Sequence, residues 1–350
     1  MEQWALYWKS GQLSLSKVKK PEVTKDDQVQ AKTLEVGICG SDLHGKDAGI
    51  MGHEGISEVV SCGADVKNFK EGDLVTFFTR VRSTKCSYDL PCYSKCDEMV
   101  DACSLKLYDS LTNGEQGLAQ EYVVFEEQFL APAETPLRKC GVLAEPFAVC
   151  VKAVEMLLGS SIEKKPTPIT DVSIVGAGKI GCLSAAILRA LYGDSVVIRA
   201  YDKGRGHAKE RFCRALSVEY IDLLTQQLPP SQATNVIEAA GDSDLYPKII
   251  AHTKDGQSRI VWLGFCDKDV YIPASLWNKR VVRGLGAHGS VNFNRHHLQT
   301  GLSLMARFKK QYPDVLEKRY ITARFPFTSF HLAFAEAVSP QQLKVVIEFA

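Results

Sequence analysis

A glycine-rich turn between an apolar strand and an apolar helix constrains the fold of this chain more than any other feature. The segment VSIVGAGKIGCLSAAILRALYG carries a G-x-G-x-x-G pattern. In this pattern the first glycine permits a tight turn, the second lets a pyrophosphate approach the backbone, and the third lets helix and strand pack closely. The segment therefore predicts a dinucleotide-binding turn formed by Gly176, Gly178, Lys179, Ile180 and Gly181.

An acidic residue at the end of the next predicted strand indicates which nucleotide binds. Asp202 closes SVVIRAYDK and lies 21 residues after Gly181. Its carboxylate can accept hydrogen bonds from both hydroxyls of an adenosine ribose. A carboxylate there also repels a 2′-phosphate, which favours NAD over NADP. Lys203 and Arg205 follow Asp202 and suit a 2′-phosphate, so NADP remains the alternative.

Further strands alternate with helix-like segments in the second half of the chain. TNVIEAAG and SRIVWLGF follow the first two strands. This alternation predicts a parallel sheet that is covered by helices on both faces. Ligands of such sheets bind beyond the carboxyl ends of the strands. We therefore expect Glu238, Gly241 and Gly264, which end these two strands, to belong to the cofactor site.

The first third of the chain has short β-rich runs instead. QVQAKTLEVGI, GISEVVSCG, GDLVTFF and AQEYVVF are separated by turn residues, which predicts a compact antiparallel or barrel-like β domain. The tail ITARFPFTSFHLAFAEAVSPQQLKVVIEFA returns to strand, helix and strand, and we expect it to complete that domain. The sequence thus predicts an α/β protein with one domain over residues 1–147 and 299–350 and a nucleotide-binding domain over residues 148–298.

Potential metal ligands lie close together in GICGSDLHGKDAGIMGHEG. Cys39 precedes the pair His53 and Glu54 by fourteen positions, and thiolate, imidazole and carboxylate are the ligands that zinc prefers. Glu145 opens the helix predicted for AEPFAVCVKAVEMLLGS, so we expect it at the cleft between the domains. Protein ligands that leave one open position would make a catalytic zinc site. A buried thiol and a core histidine are the alternatives for Cys39 and His53.

A second group of cysteines lies in a long polar segment that follows the β-rich runs. The segment RVRSTKCSYDLPCYSKCDEMVDACSLKLYDSLTNGEQG is too long for a plain connection. Four thiolates would form a closed structural zinc site that organises such a loop, and a set of free thiols is the alternative. The four residues, spaced C-x5-C-x3-C-x6-C, are Cys86, Cys92, Cys96 and Cys103.

The overall composition excludes several classes of partner. The chain has 350 residues, long enough for two domains, and 42 basic side chains balance 41 acidic ones. We therefore expect neither nucleic acid nor an anionic membrane as a partner. No apolar run is long enough to span a bilayer, and MEQWALYWKSGQLSL lacks the pattern of a signal peptide. Eleven cysteines without such a signal indicate reduced thiols and a cytoplasmic protein.

These motifs together resemble the zinc-dependent branch of the medium-chain dehydrogenase/reductase superfamily, over essentially the whole chain. CGSDLH and GHEG are similar to the family's first two zinc-ligand segments, VGAGKIG to its nucleotide turn and LKVVIEF to its closing strand. GVLAEPFAVCVKAVE and GAHGSVNFNRHHLQTGL resemble its glucose dehydrogenase subgroup. The resemblance implies a GroES-like β-barrel catalytic domain, a Rossmann doubly wound nucleotide-binding domain and, by analogy, a homodimer or homotetramer.

The resemblance also implies roles for individual residues. Carried onto this sequence, Cys39, His53 and Glu145 would bind the catalytic zinc. Glu54 would be an alternate ligand or would contact bound water or substrate. Asn292, in the GSVN segment, would lie near the nicotinamide and the sugar.

A proton released from the substrate needs a route to solvent. Ser41 lies two residues after Cys39, so we expect its hydroxyl to face the same cavity and to receive the proton. His44 titrates near neutral pH and would pass the proton on; an exposed loop histidine is the alternative. We expect Asp42 to orient a zinc ligand or to brace the loop.

Departures from the family pattern limit the substrate assignment. The segment from Cys39 to His53 is shorter than its counterparts, the cysteine loop has a different spacing, and LYDSLTNGEQG lacks a clear counterpart of a glutamate-bearing segment of the subgroup. We therefore predict zinc-dependent hydride transfer between NAD(P) and a hydroxyl of a sugar, polyol or cyclitol. A simple alcohol or aldehyde dehydrogenase is the alternative that Glu145 disfavours, because a carboxylate suits a hydroxyl-rich substrate. A non-catalytic nucleotide-binding protein is the other alternative.

Overall fold

The structure is a computed structural model. It describes residues 1–44, 48–82, 108–110, 117–163, 167–254, 256 and 258–349, with the side chains of residues 44, 48, 80–82 and 108–110 left out. The chain divides into two compact units. The first comprises Met1–Ala148, Phe293–Ala306 and Leu316–Ala350, and the second comprises Val149–Asn292 and Arg307–Val315.

The first unit is built mainly from antiparallel strands, as the β-rich runs predict. Numbered in chain order, its strands are β1 (Glu2–Lys9), β2 (Gln12–Lys19), β3 (Gln28–Gly37), β4 (Ala48–Ile50), β5 (Glu54–Cys62), β6 (Leu74–Phe77), β7 (Arg80–Arg82), β8 (Tyr108–Ser110), β9 (Tyr122–Glu126), β10 (Leu130–Ala133), β17 (Ile321–Pro326) and β18 (Lys344–Glu348). They form a three-stranded sheet in the order β2-β1-β4, a two-stranded sheet of β7 and β8, and a seven-stranded sheet. The seven-stranded sheet has the order β10-β6-β5-β3-β18-β17, and β9 pairs with β3.

Alternating burial along β3 shows why these residues form a sheet with one face on the core. Val29, Ala31 and Thr33 are buried, whereas the residues between them are partly exposed. The buried face packs in an apolar cluster that also contains Leu6 and Ile347. The cluster therefore joins the start and the end of the chain in one core.

The C-terminal tail completes the seven-stranded sheet, as the sequence predicts. In β18, Val346 faces Gly37 of β3 in an antiparallel pair, and β18 runs parallel to β17 on its other side. The amide of Ile38 donates to the carbonyl of Val345 at 3.0 Å. This pairing brings Lys344 beside the residues that follow β3.

The second unit contains the parallel sheet that the alternation of strands and helices predicts. Its strands are β11 (Asp171–Val175), β12 (Val197–Asp202), β13 (Glu219–Asp222), β14 (Asn235–Glu238), β15 (Arg259–Trp262) and β16 (Gly286–Gly289). All of their pairings are parallel. The order β13-β12-β11-β14-β15-β16 reverses direction between β11 and β14. This is the doubly wound order in which a ligand binds at the point of reversal.

Helices connect the strands in both units. No helix of the described residues is both long enough and apolar enough to cross a membrane. The α-helices are Ala144–Leu158, Lys179–Tyr192, Ala208–Ala215, Tyr246–His252, Ala274–Val282, Arg295–Gln311 and Phe330–Ala337, with a π-helix over Val315–Tyr320. Short 3₁₀ helices cover Gly40–His44, Glu127–Phe129, Thr135–Leu137, Gly141–Leu143, Gly193–Ser195, Ser243–Leu245 and Phe327–Ser329.

Candidate metal centre and nucleotide-binding turn

Three side chains that can bind a metal meet in the first unit. One ligand atom from each of Cys39, His53 and Glu54 lies within 4.8 Å of the other two. The sheet brings them together, because Cys39 follows β3, Glu54 begins β5, and Gly37 of β3 lies opposite Glu54. The structure thus places the two predicted ligands Cys39 and His53 beside the carboxylate of Glu54. The sequence analysis gave Glu54 two possible roles, as an alternate ligand or as a contact of bound water or substrate.

The cluster is largely shielded from water. His53 is 4% exposed and Glu54 is 1% exposed. Burial and, next, the Glu54 carboxylate raise the pKa of Cys39, while Lys344 and a hydrogen bond from the backbone of Ser41 act to lower it. Buried anions cost free energy unless a cation compensates them. The cluster therefore needs a positive charge nearby to be stable when its thiol and carboxyl groups are ionised.

A buried lysine on the closing strand contacts this cluster, and the sequence analysis missed it. Lys344 and Glu54 form an ion pair whose side chains are each 1% exposed, and Lys344 Nζ also lies 3.4 Å from the carbonyl oxygen of Ile38. Burial acts to lower the pKa of Lys344, but Glu54 and Cys39 outweigh it and raise that pKa above its ordinary value. Lys344 is therefore a fixed positive charge. Its one sequence signal was a lysine within the apolar strand LKVVIEF.

Asp42 connects the two ligand-bearing segments. It is fully buried, and its Oδ2 accepts a hydrogen bond of 2.9 Å from the backbone N–H of Cys39. Its Oδ1 lies 3.7 Å from His53 Nδ1. This distance is too long for a hydrogen bond, so Asp42 acts on the imidazole through its charge and not as a fixed acceptor. The contact with Cys39 supports the predicted bracing of the loop, and the orientation of His53 by Asp42 stays a prediction.

Glu145, the third predicted ligand, interacts electrostatically with this group. It lies in the first turn of the helix Ala144–Leu158 and is not among the described residues whose ligand atoms all lie within 4.8 Å of one another. Burial raises the pKa of Glu145 to about 8, with His53 acting to lower it and Glu54 and Cys39 acting to raise it. The charges of all three side chains thus act on the Glu145 carboxyl group, and a bound cation would favour its ionised form.

The residues present fit a zinc ion. A thiol, an imidazole and two carboxyl groups are donors that zinc accepts. When ionised, the thiol and the two carboxyl groups, together with Asp42, carry more negative charge than Lys344 offsets. Within the described part of the chain, His53 Nδ1 is buried without a hydrogen-bond partner. A divalent cation would balance the charge and would hold the imidazole in place.

The glycine-rich turn lies in the second unit, between β11 and the helix Lys179–Tyr192. Gly176 has φ of 98°, and a Cβ there would lie 2.5 Å from the amide of Ala240. A Cβ on Gly181 would lie 1.9 Å from the carbonyl oxygen of Gly176. A Cβ on Gly178 would meet nothing within 4 Å. The packing of the protein itself therefore requires the first and third glycines, whereas the second leaves room for a ligand.

The start of that helix is suited to an anion. Gly178 is its N-cap, and no side chain caps the first turn. The N–H groups of a helix start have no partner within the helix, and the helix dipole adds partial positive charge at this end. A pyrophosphate can accept hydrogen bonds from these groups. The structure places Lys179 and Ile180 in this first turn, as the sequence predicts.

Asp202 ends β12 and forms an ion pair with Lys209, which the sequence analysis did not predict. Its Oδ1 lies 2.7 Å from Lys209 Nζ and accepts a hydrogen bond of 2.6 Å from the backbone N–H of Lys203. The side chain of Lys203 turns instead to Asp242, at 3.1 Å. Sequence reasoning singled out Lys203 and missed Lys209, because the helix Ala208–Ala215 brings Lys209 back to the strand end.

Glu238 braces the backbone at the ends of β14 and β15. It is fully buried, and it accepts hydrogen bonds from the N–H groups of Ala240 at 2.8 Å, Gly241 at 2.7 Å and Gly264 at 3.1 Å. A Cβ on Gly264 would lie 2.2 Å from the amide nitrogen of Gly241. Burial raises the pKa of Glu238 and these N–H groups act to lower it. Glu238 thus holds two neighbouring turns at the sheet edge where the cofactor is expected.

The other predicted residues lie outside the metal-ligand cluster and the glycine-rich turn. Asn292 has φ of 56°, a backbone conformation that asparagine tolerates better than most residues, and the carbonyl of Val291 accepts a hydrogen bond of 3.0 Å from Lys152. Ser41 is exposed in the 3₁₀ helix Gly40–His44. The side chain of His44 lies outside the described residues, and so do the four loop cysteines, Cys86, Cys92, Cys96 and Cys103.

Two family models match the chain. The model described as "Alcohol dehydrogenase GroES-like domain" matches residues 25–135. The model described as "Glucose dehydrogenase C-terminus" matches residues 138–349. The two matches follow each other along the chain in the order that the sequence motifs imply.

Relatives and solved structures agree with these matches. The glucose 1-dehydrogenase of Thermoproteus tenax is 30% identical over 92% of this chain and 91% of its own. The glucose 1-dehydrogenase 1 of Caldivirga maquilingensis is 30% identical over 96% and 95%. The crystal structure of Haloferax mediterranei glucose dehydrogenase in complex with NADP, Zn and gluconolactone has a TM-score of 0.82 and 19% identity over 99% of each chain, which shows that the fold is shared.

The family matches cover most of the chain, and they coincide with the residues that the two sites use. The ligand segments with Cys39 and His53 lie within the GroES-like match, and the glycine-rich turn lies within the glucose dehydrogenase match. The chain therefore belongs to the zinc-dependent medium-chain alcohol dehydrogenase superfamily, in its glucose dehydrogenase-like branch, and is an NAD(P)-dependent enzyme that acts on CH–OH donors.

Proposed function

We propose that this enzyme transfers hydride reversibly between a hydroxyl-bearing carbon of a sugar, polyol or cyclitol and a nicotinamide nucleotide. The observation that carries the proposal is the largely buried group of Cys39, His53 and Glu54, whose charges also act on Glu145. A site with two carboxyl groups suits a substrate with several hydroxyl groups, because carboxylates accept hydrogen bonds from hydroxyls. The names of the relatives, which are glucose 1-dehydrogenases, support the same class of substrate.

Each residue of the metal centre has a role in the proposal. Cys39, His53 and Glu145 hold the zinc ion, and Asp42 fixes the positions of the first two. Lys344 keeps Glu54 ionised and directed toward the ligands, where it can serve as an alternate ligand or can contact water or substrate. A zinc ion bound there supplies Lewis-acid polarisation of a substrate hydroxyl and lowers the pKa of that hydroxyl.

The proton that leaves the substrate passes through side chains of this chain. We propose that the hydroxyl of Ser41 accepts the proton and that His44 delivers it to solvent. The support is the position of Ser41 two residues after Cys39, where it is exposed in the 3₁₀ helix Gly40–His44 that also contains His44. A hydroxyl can accept one proton while it donates its own, so Ser41 would need no charged state.

The second unit binds and orients the nucleotide. Gly176, Gly178 and the first turn of the helix Lys179–Tyr192 hold the pyrophosphate, and Asp202 binds the adenosine ribose, with NAD favoured over NADP. Glu238 holds the turns at Gly241 and Gly264 beside the nicotinamide half. The arrangement fixes the nicotinamide relative to the protein, which is the main contribution of a protein to hydride transfer.

We also propose a homodimer or homotetramer, a structural zinc at the loop cysteines and a cytoplasmic location. Support for assembly comes from the end strand β16 of the parallel sheet, where most residues are exposed. Large apolar side chains are exposed in the same unit, such as Tyr271 at 80%, Val282 at 86% and Phe265 at 79%. Open sheet edges and exposed apolar groups are features of subunit interfaces.

A substrate panel tests the proposed function. Turnover of D-glucose, sorbitol and myo-inositol is compared with that of ethanol and benzyl alcohol by the absorbance of NADH or NADPH, with and without a chelator. The proposal predicts turnover of at least one polyhydroxylated substrate and loss of that turnover with the chelator. Preference for ethanol or benzyl alcohol would identify a simple alcohol dehydrogenase. No turnover of any substrate by a chain that binds nucleotide would identify a non-catalytic protein.

A further inference from the structure

Several charged side chains lie near the end of β12, and each of them forms an ion pair. Lys203 Nζ lies 3.1 Å from Asp242 Oδ2, and Arg205 Nη1 lies 3.3 Å from Glu210 Oε1. Glu210 is paired a second time, with Arg214 at 2.7 Å. The two cations that the sequence offers for a 2′-phosphate are thus already bound to carboxylates other than Asp202.

Lys209 is the cation that contacts Asp202. The distance between Lys209 Nζ and Asp202 Oδ1 is 2.7 Å, and their side chains are 15% and 18% exposed. The pair between Lys203 and Asp242 is much more open, since the side chain of Lys203 is 60% exposed. Water and salt screen a half-buried pair less than an exposed one. The charge of Lys209 is therefore the one that most affects the potential at Asp202.

The Asp202 carboxylate still has an oxygen that can bind the ribose. In the described part of the chain, Lys209 and the backbone of Lys203 both contact Oδ1, and no hydrogen bond is made to Oδ2. An ammonium group carries three N–H donors, and Lys209 makes one hydrogen bond, to Asp202, among the described residues. Asp202 and Lys209 can thus bind a ribose hydroxyl and a phosphate oxygen at the same time.

We propose that Lys209 is a cofactor-specificity residue that offsets the charge of Asp202, so that the enzyme accepts NADP as well as NAD. An unpaired carboxylate would repel the 2′-phosphate of NADP, whereas a carboxylate with an ammonium group at 2.7 Å presents no net charge. The preference for NAD is then modest and depends on Lys209. The inference rests on the proposed binding of NAD(P) at the glycine-rich turn.

Direct binding measurements on the full chain test this inference. Dissociation constants of NADH and NADPH are measured by nicotinamide fluorescence without substrate, for the wild type, Lys209→Met, Lys209→Arg and Lys203→Met. We expect Lys209→Met to weaken NADPH binding by about tenfold or more and NADH binding by less than about threefold. Lys209→Arg keeps the charge and should restore the wild-type ratio. Lys203→Met is the matched control and should change the ratio by less than about twofold, because Asp242 already neutralises Lys203.

The substitution Asp202→Asn tests the other half of the charge balance. Removal of the carboxylate leaves the charge of Lys209 unopposed, so Asp202→Asn should shift the ratio of the two constants toward NADPH by about tenfold or more. An unchanged ratio in Asp202→Asn would contradict the inference, and so would equal weakening of NADH and NADPH by Lys209→Met. Thermal unfolding of each variant checks that the fold is retained. A wild-type chain that binds neither nucleotide would overturn the proposed function itself.

Discussion

The metal centre and the nucleotide-binding turn are built from the chain in opposite ways. The turn is formed by consecutive residues, from Gly176 to Gly181, and much of its geometry comes from contacts between backbone atoms. The metal centre combines side chains from distant positions, including Cys39, Glu145 and Lys344, and its geometry depends on buried charges. One site is therefore held by close packing and the other by electrostatics.

This difference has a consequence for how each site responds to change. Close packing of backbone is lost when an added atom has no room, whatever the solvent contains. A cluster of buried charges is stable only when positive and negative charges balance, so its stability depends on the bound ion. We expect substitutions in the turn to act independently of metal and substitutions in the metal centre to depend on it.

The largest expected effect is the loss of the metal after Cys39→Ser. A hydroxyl is a poor replacement for a thiolate ligand, so zinc content at this site and turnover should both fall, turnover by about a thousandfold or more. NADH binding should survive, because the nucleotide-binding turn lies in the other unit. Cys62→Ser is the matched control, because Cys62 donates to the carbonyl of Phe69 and is not in the cluster. Full activity of a metal-free Cys39→Ser enzyme would contradict the account.

Removal of Lys344 should have the next largest effect. Lys344→Met leaves Glu54 as a buried, unpaired carboxylate, which should lower the free energy of unfolding by about 3–5 kcal/mol in metal-free protein. The loss should be smaller with zinc, which compensates the same charge. Urea unfolding with and without a chelator measures both values. Lys25→Met removes an exposed ion pair with Glu126 and should cost less than about 1 kcal/mol. A metal-independent loss would show that Lys344 has only a packing role.

Two glycine substitutions separate packing from ligand binding in the turn. Gly181→Ala places a Cβ against the carbonyl oxygen of Gly176 and should destabilise the protein by about 1–3 kcal/mol. In Gly178→Ala the added Cβ meets no atom within 4 Å. The free energy of unfolding should therefore change by about 0.5 kcal/mol or less, and the melting temperature should stay within a few degrees of the wild-type value. It should nevertheless weaken NADH binding. Equal losses of stability in the two variants would refute this distinction.

The smallest expected effect is a loss of folding stability at mildly acidic pH. Burial lowers the pKa of His252 below its ordinary value, and Ser173 contacts its Nε2 at 2.9 Å. Below the ordinary histidine pKa, the unfolded chain therefore binds a proton that the folded chain does not. The contribution of neutral His252 to the free energy of unfolding is complete above that pKa and is lost as the pH falls below it. Between pH 6.5 and 5.5 it should remove at most about 1.4 kcal/mol. Unfolding of His252→Gln at both pH values should show a shallower pH dependence than the wild type.

The fold could be predicted from local patterns, because strand alternation, the glycine-rich turn and helix periodicity each lie within short segments. The sequence analysis did not identify the hairpin of β1 and β2, nor the two end strands of the parallel sheet, β13 and β16. The turn residues of the hairpin, Ser10 and Gly11, both have positive φ, the arrangement of a tight hairpin turn. The pair Ser-Gly between two strand-like runs was the available signal.

The sites could be predicted only in part, for a physical reason. Cys39 and His53 share one short segment, so their meeting could be inferred. Lys344 and Lys209 reach their partners through sheet pairing and through a helix that returns to a strand end. No local pattern records such long-range contacts. A lysine in an apolar strand can be flagged as unusual from the sequence, but its partner Glu54 requires the structure.

The central claim is that a zinc ion held by Cys39, His53 and a carboxylate enables the reaction. The most direct test is the zinc content of purified wild-type enzyme, measured together with its turnover before and after a chelator and after zinc is restored. The account predicts bound zinc that decreases in Cys39→Ser, loss of turnover with the chelator and recovery with zinc. A wild-type enzyme that remains fully active without metal would contradict it.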